Sequence, residues 1–449
     1  MRRALAIVWL GALAAAASCD PQLGAWGLGA IRDMKTPADD PTLACGPNPT
    51  EARAAERAAC AFGPGAKPEE TLGIAAGALA RMPIRHVIVV MKENRSFDHM
   101  LGKLRERGAP DADGIPPGWS NPDGSGAPVP ATRATTTCIP FDPGHQSVAM
   151  ADGVDHGKMD GFVTSAARTT KSDGAFAMQY YDEADLPFTY WLARTFALAD
   201  RDFAPMLTGT FANRSFMLFG TNAGVVDTGI VYPSPRTPSI FHLLMNAGFT
   251  WGAYTDGGPL SGTLDWSKTD PGVHTMQELY DALAAGALPN VAFVDGRESW
   301  EDDHPLADVQ RGEAWLAGIY DRVVRAPQWP RTAMIFTYDE GGGFADHVPP
   351  PNGCAVTGSR WVERGPRVPL VAVSPWARRG FVSHVVRDHT SITRFIEAVF
   401  GLPALTARDA NADALLDLFD FSCGRDLSVG AAPAPGAGGC PNPFPPGAD

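Results

Sequence analysis

The sequence predicts an α/β protein, a doubly wound layer sandwich in which apolar strands alternate with amphipathic helices. Three observations carry this. The run at 87–91, Val87-Ile88-Val89-Val90-Met91, is continuous, short and β-branched, as a strand buried on both faces reads. The stretch 308–324 places Val309, Leu316, Ile319, Tyr320 and Val323 on one helical stripe. The 449 residues are 45% apolar and 19% charged, a globular balance with ample core material.

In chain order, the N-terminus reads as an export signal. Arg2 and Arg3 give a basic start, and residues 4–17 form an apolar run too short for a comfortable membrane span. The run ends Ala16-Ala17-Ser18-Cys19. Small residues before a Cys resemble a bacterial lipobox, which would make Cys19 a lipidated N-terminus and a membrane tether. Ordinary signal cleavage near Cys19 is the alternative. The protein is expected to be exported, periplasmic or extracellular. Residues 1–19 are then the signal or lipoprotein peptide, 20–82 an Ala/Pro/Gly-rich extension with a helix near 50–60, 83–426 the main domain and 427–449 a loose Pro/Gly-rich tail.

Within the main domain the first strand is 84–91, followed by a crossover helix over 96–107. Residues 108–137 are a Pro/Gly-rich loop, long enough to be functional. A helix over 186–196 precedes a strand over 196–203 that carries Asp200 and Asp202. A Gly-bearing turn, 206–214, then feeds a helix over 215–219; a helix N-terminus favours anions. Helices are expected over 237–248, 274–285, 308–324 and 391–400, and strands over 250–254, 290–295, 333–338 and 367–373. There is no internal repeat.

The net charge is −13 and no block of Lys or Arg runs along the chain. That argues against nucleic acid and against anionic lipid as electrostatic partners. Seven Cys become six if Cys19 is set aside, and an even number in an exported chain suggests disulfides. The expected pairs are the local ones, Cys45 with Cys60 and Cys423 with Cys440, leaving Cys138 with Cys354. No CxxC or Cys/His cluster suggests structural zinc.

Two strand ends carry paired oxygen ligands, Glu93-Asn94 and Asp339-Glu340. Both follow buried apolar runs, so both should lie on the carboxyl edge of the sheet, where open α/β folds bind ligands. Three carboxylates and an amide suit a hard divalent cation. The plainer reading is that such residues cap the helix or turn that follows, as Ser96 and Asp98 also could. Gly341-Gly342-Gly343 would let backbone approach closely. His145, His304 and His347 lie in polar loops.

Glu93-Asn94-Arg95-Ser96-Phe97-Asp98-His99 resembles the ENRSFDH motif of the bacterial phosphoesterase family. That family holds the phosphatidylcholine-hydrolysing phospholipases C and related acid phosphatases. Gly157-Lys158-Met159-Asp160-Gly161-Phe162 resembles its GKMDGF segment, and Tyr338-Asp339-Glu340-Gly341-Gly342-Gly343-Phe344-Ala345-Asp346-His347-Val348 its YDExGGxxDHV segment. Gly365-Pro366-Arg367-Val368-Pro369 and Asp388-His389-Thr390-Ser391 match in order, so the resemblance covers roughly 83–420.

The resemblance implies an alkaline-phosphatase-like three-layer α/β/α sandwich with a mostly parallel central sheet. It implies one divalent metal held by Glu93, Asn94, Asp339 and Glu340, with Thr210 facing it as nucleophile, and His145 and His304 lining the phosphate. His347 is a further candidate for that lining or for a supporting role. The segment Thr208-Gly209-Thr210-Phe211-Ala212-Asn213-Arg214 departs from the family's GPTxPNR by lacking both prolines, which leaves Thr208 as a rival nucleophile. The expected activity is hydrolysis of phospholipid phosphodiesters through a phospho-threonine intermediate. A broad acid phosphatase acting on small phosphate monoesters, and a non-catalytic surface lipoprotein that keeps the fold, are the alternatives.

Overall fold

Eight strands form the central sheet of the computed structural model: β1 His86–Lys92, β2 Ala197–Ala199, β3 Trp251–Tyr254, β4 Val273–His274, β5 Val291–Asp295, β6 Thr332–Tyr338, β7 Leu370–Val373 and β8 Val382–Ser383. The structure describes residues 48–227, 237–259, 272–356, 362–422 and 426–440, all within the compact unit Leu43–Asp449. The expectations for Cys19, Cys45, Cys423 and the signal segment lie outside these residues.

The strand order is β8-β2-β7-β6-β1-β5-β3-β4. β1 runs parallel to both neighbours, with Met91 opposite Asp295 and Lys92 opposite Tyr338. β3 and β4 continue the parallel run, as β8 does beside β2. β7 is the exception, antiparallel to β6 and to β2. The sheet is thus mostly parallel. Its central strands are buried along their length because helices cover both faces.

The principal helices are α1 Phe97–Leu101, α2 Ser147–Val154, α3 Phe162–Thr170, α4 Pro187–Thr195, α5 Thr210–Phe219, α6 Ile240–Asn246, α7 Met276–Ala285, α8 Val309–Arg325 and α9 Thr390–Phe400. α4, α8 and α7 pack side by side as one layer, and α9, α5 and α6 as the other. The result is a three-layer α/β/α sandwich. Local caps set several starts. Thr275 and Glu278 form a capping box on α7, and Asp308 accepts from Gln310 N at the start of α8.

Several expectations need correction. The helix over 96–107 stops at Leu101, and a separate 3-10 turn follows; Gly102 between them packs where a side chain would meet Ile115 at 2.6 Å. It is not a crossover helix either, since the neighbours of β1 lie at 291–295 and 332–338. The strand over 196–203 splits: β2 joins the main sheet, while Asp202–Phe203 pairs with Arg387–Asp388 elsewhere. Between them, buried Asp200 turns away to accept the Asp113 N–H at 2.8 Å.

The Pro/Gly-rich loop holds a small hairpin, Ser120–Pro122 with Pro128–Pro130. The tail is not loose over its described end. Gly436 N donates to Glu313, Gly438 N to Gln310, and Gly439 N and Cys440 N to Asp308.

Among the described residues the disulfides are Cys60–Cys354 and Cys138–Cys440, which overturns the two local pairings and the expected Cys138–Cys354 bond. Nearness in sequence misleads here because each bond joins an outer segment to the main domain. The 54–60 segment lies against the loop at 352–354, and the tail lies across the start of α8 beside Cys138.

Candidate active site

β1 and β6 are adjacent and parallel, so Glu93-Asn94 and Asp339-Glu340 emerge side by side at one sheet edge. Asn94 sits at φ +59°, in the left-handed region that Asn tolerates better than most residues. Its N–H donates to Asp339 Oδ1 at 2.9 Å. Gly342, at φ +62°, lies so close behind that a Cβ there would meet Asn94 O at 2.1 Å. The glycine run therefore admits the close approach expected of it.

α5 brings Thr210 to the same place. Thr210 is its first residue, and Asn213 ties the preceding turn: its Oδ1 accepts from Met206 N at 2.8 Å, and its Nδ2 donates to Thr208 O at 2.8 Å and Gly209 O at 3.0 Å. That amide braces the turn without prolines. Thr210 Oγ1 donates to Glu93 Oε2 at 2.9 Å and lies 3.3 Å from Asn94 Oδ1. Thr208 is turned elsewhere, its hydroxyl bonded to Ser147 at 2.9 Å and 3.4 Å from Val226 O.

Each carboxylate in the cluster has one oxygen anchored by the fold. Asp339 Oδ1 accepts two backbone N–H groups, from Asn94 and Glu340. Glu340 Oε2 accepts from Gly342 N at 2.6 Å. Glu93 Oε1 accepts from Arg214. The other oxygens are left for the site: Asp339 Oδ2 is buried and accepts no hydrogen bond. The Asn94 amide places one end 2.8 Å from Glu340 Oε1 and 3.2 Å from Glu93 Oε2, and the other 3.0 Å from His304 Nε2.

If oxygen occupies the first end, three acceptors converge with no donor among them. Such a donor set suits a hard cation; turned over, the amide would donate to both carboxylates instead. Burial pushes Glu93 and Glu340 well above the usual carboxylate range, and the Asp339 charge adds to it. Those are the electrostatics of anionic groups short of positive charge. The residues present therefore fit a divalent cation.

His145 and His304 face Asn94 with their rings 6.0 Å apart and nearly perpendicular. His145 Nδ1 sits on Pro143 O at 2.9 Å and His304 Nδ1 on Pro305 O at 2.7 Å. Each carbonyl holds its ring so that Nε2 points inward. The loop that carries His304 is pinned to the end of β1: Glu93 N donates to Asp302 O, Lys92 Nζ pairs with Asp303 Oδ2 at 2.5 Å, and Tyr338 donates to the same oxygen at 2.7 Å. His347 is not brought to this cluster. Its Nδ1 bonds Asp98 at 2.7 Å, and Asp98 and Asp346 are in turn held by buried Arg367.

Three participants were not anticipated. Arg214 enters the sequence comparison only as the last residue of the 208–214 segment, yet it contacts Glu93 and Asp295 directly. Asp295 ends the apolar strand 291–295, a third acidic strand end on the same edge that the sequence does display. His389 Nε2 contacts Asp339 O at 2.7 Å; its signal is the Asp388-His389-Thr390-Ser391 segment.

A model of the Phosphoesterase family matches residues 84–403. The chain belongs to the phosphoesterase family. Within the family, it is 30% identical to non-specific phospholipase C3 of Arabidopsis thaliana, over 76% of this chain and 74% of that one. It is 31% identical to phospholipase C A of Mycobacterium tuberculosis, over 76% of this chain and 78% of that one. Among solved structures, a protein in the alkaline phosphatase superfamily from Vibrio parahaemolyticus resembles it at 11% identity and TM-score 0.36, covering 70% of this chain and 77% of that one. As a phosphoesterase, the chain is a phosphoric ester hydrolase.

Proposed function

We propose that this phosphoesterase is an exported, metal-dependent phospholipase C-type enzyme that hydrolyses phospholipid phosphodiesters through a phospho-threonine intermediate. The observation that carries the reading is Thr210 Oγ1 at the start of α5, 2.9 Å from Glu93 Oε2 and 3.3 Å from Asn94 Oδ1. The names of its relatives in a plant and a mycobacterium support the lipid substrate. The disulfides Cys60–Cys354 and Cys138–Cys440 support an oxidising compartment. No helix among the described residues is long and apolar enough to cross a membrane.

Glu93, Asn94, Asp339 and Glu340, with Thr210, would hold one divalent cation, which when bound neutralises phosphoryl charge and makes the threonine hydroxyl a better nucleophile. Thr210 attacks phosphorus in line; its Oγ–P bond forms as the bond to the leaving alkoxide breaks. Glu93 Oε2, already its acceptor, orients the hydroxyl, and the proton leaves to solvent water. His304 Nε2, aimed inward by the Pro305 carbonyl, delivers a proton to the leaving alkoxide. His145 Nε2 faces the non-bridging oxygens. Water then displaces Thr210 from phosphorus.

The test is a panel of phosphatidylcholine, a soluble phosphodiester and p-nitrophenyl phosphate, run with wild type and Thr210→Ala. The expected result is release of diacylglycerol by wild type and a fall in kcat on the order of 10³-fold or more for the variant, with bound metal retained. Full activity of Thr210→Ala overturns the nucleophile. Turnover confined to the monoester makes the protein an acid phosphatase, and no turnover with any added metal makes it a non-catalytic relative.

A further inference from the structure

Arg214 lies four residues beyond Thr210 on α5, so both side chains occupy one face of the helix. It is fully buried. Its Nε and Nη2 donate to Glu93 Oε1 at 2.9 and 2.5 Å. Nη1 donates to both oxygens of Asp295, at 2.9 and 2.8 Å. Nε also lies 3.6 Å from Asp339 Oδ2. Glu93, Asp295 and Asp339 stand at the ends of β1, β5 and β6, which are adjacent in the sheet. One planar guanidinium therefore joins the helix that begins with Thr210 to the ends of three neighbouring strands.

We propose that Arg214, itself fixed by Asp295, is the positioning residue that sets the Thr210 hydroxyl against Glu93 for attack; this rests on the reading of Thr210 and Glu93 given above. The division of labour on Glu93 is the basis. Arg214 takes Oε1, so Oε2 is the oxygen presented to Thr210. With Oε1 released, the carboxylate can rotate about its last torsion and withdraw Oε2 from the hydroxyl. Asp295 matters because it occupies the remaining edge of the fork, so Arg214 is held in plane rather than merely attracted. Lysine cannot substitute: a single ammonium on a flexible stem does not make the two paired contacts. Neither Arg214 nor Asp295 touches the place where Asn94, His145 and His304 converge, so their effect passes through Glu93 and α5.

The experiment uses full-length Arg214→Lys and Asp295→Asn, with Thr210→Ala alongside, assayed on p-nitrophenyl phosphorylcholine. The expected result is a fall in kcat of about 10²-fold for Arg214→Lys, the size of a misplacement near 1 Å, and a smaller fall for Asp295→Asn. KM, metal content per chain and circular dichroism should stay at wild-type values. Should Arg214→Lys fail to fold, Asp295→Asn carries the test alone. Wild-type kcat in folded variants overturns the proposal. So does a loss of activity fully matched by loss of metal, which would make Arg214 part of cation retention instead. If Thr210→Ala itself stays active, the reading of the site has failed; if it is dead while the other two are normal, only the role of Arg214 has.

Discussion

Glu93, Asp339 and Glu340 share a habit that the amino-acid sequence does not state: each has one oxygen held by the protein and one left over. Their pairing at strand ends was legible, because an apolar run that stops at two oxygen ligands marks the carboxyl edge of a buried sheet. Arg214 was not legible, since an arginine on an amphipathic helix ordinarily faces water, and only the tertiary fold turns it inward. Sequence leaves His347 open between lining the phosphate and a supporting role, because only the tertiary fold shows that its Nδ1 bonds Asp98, which Arg367 holds. Because Glu93 and Glu340 are pushed up by burial and by Asp339, they keep their protons to higher pH than ordinary carboxyls. A cation bound there would displace those protons. Metal binding is thus expected to release protons in weakly buffered solution and to weaken as pH falls, which titration calorimetry in two buffers of different ionisation enthalpy would detect. Pure pH-independent binding would refute it.

At the scale of elements, long periodic segments were read well and short ones poorly. The strands at 86–92 and 332–338 and the helix at 309–325 fall within a residue or two of expectation. The split of 196–203 was invisible because what separates the two halves is a hydrogen bond from a remote loop. The segment around Glu51 offers a pH test. Burial and the charge of Asp413 push its carboxyl up from 4.5 to about 8, against the pull of Arg57. The folded value exceeds the unfolded one, so the unfolded chain loses its proton first as pH rises. The stabilisation is complete below the unfolded value of 4.5 and is lost progressively as pH climbs through about 8. Glu51→Gln is expected to flatten the fall in melting temperature across that range; an unchanged slope would place its cause elsewhere.

Across the whole molecule, the disulfides Cys60–Cys354 and Cys138–Cys440 tie outer segments to the sandwich over sequence separations of 294 and 302 residues. Closing such long loops restricts the unfolded chain strongly, and replacing Cys60 and Cys354 together by Ala should cost about 2–5 kcal/mol, read as a lower denaturant midpoint. No loss would mean that the 54–60 segment is held by its other contacts alone. The architecture of layers was within reach of sequence, since alternation of strand and helix dictates it, but the order of strands was not, because pairing across hundreds of residues leaves no local trace. That order has a consequence in time. β1 is among the first parts of the sandwich to be synthesised, yet its two partners, β5 and β6, come about 200 residues later. Until they arrive, this largely apolar strand has two bare edges. A ribosome adding about 5–20 residues per second leaves it so for on the order of ten seconds or more. The nascent chain therefore passes through a long interval in which its future core strand is an open template for aggregation, and its yield should depend on whatever shields that strand until the end of β6 is made.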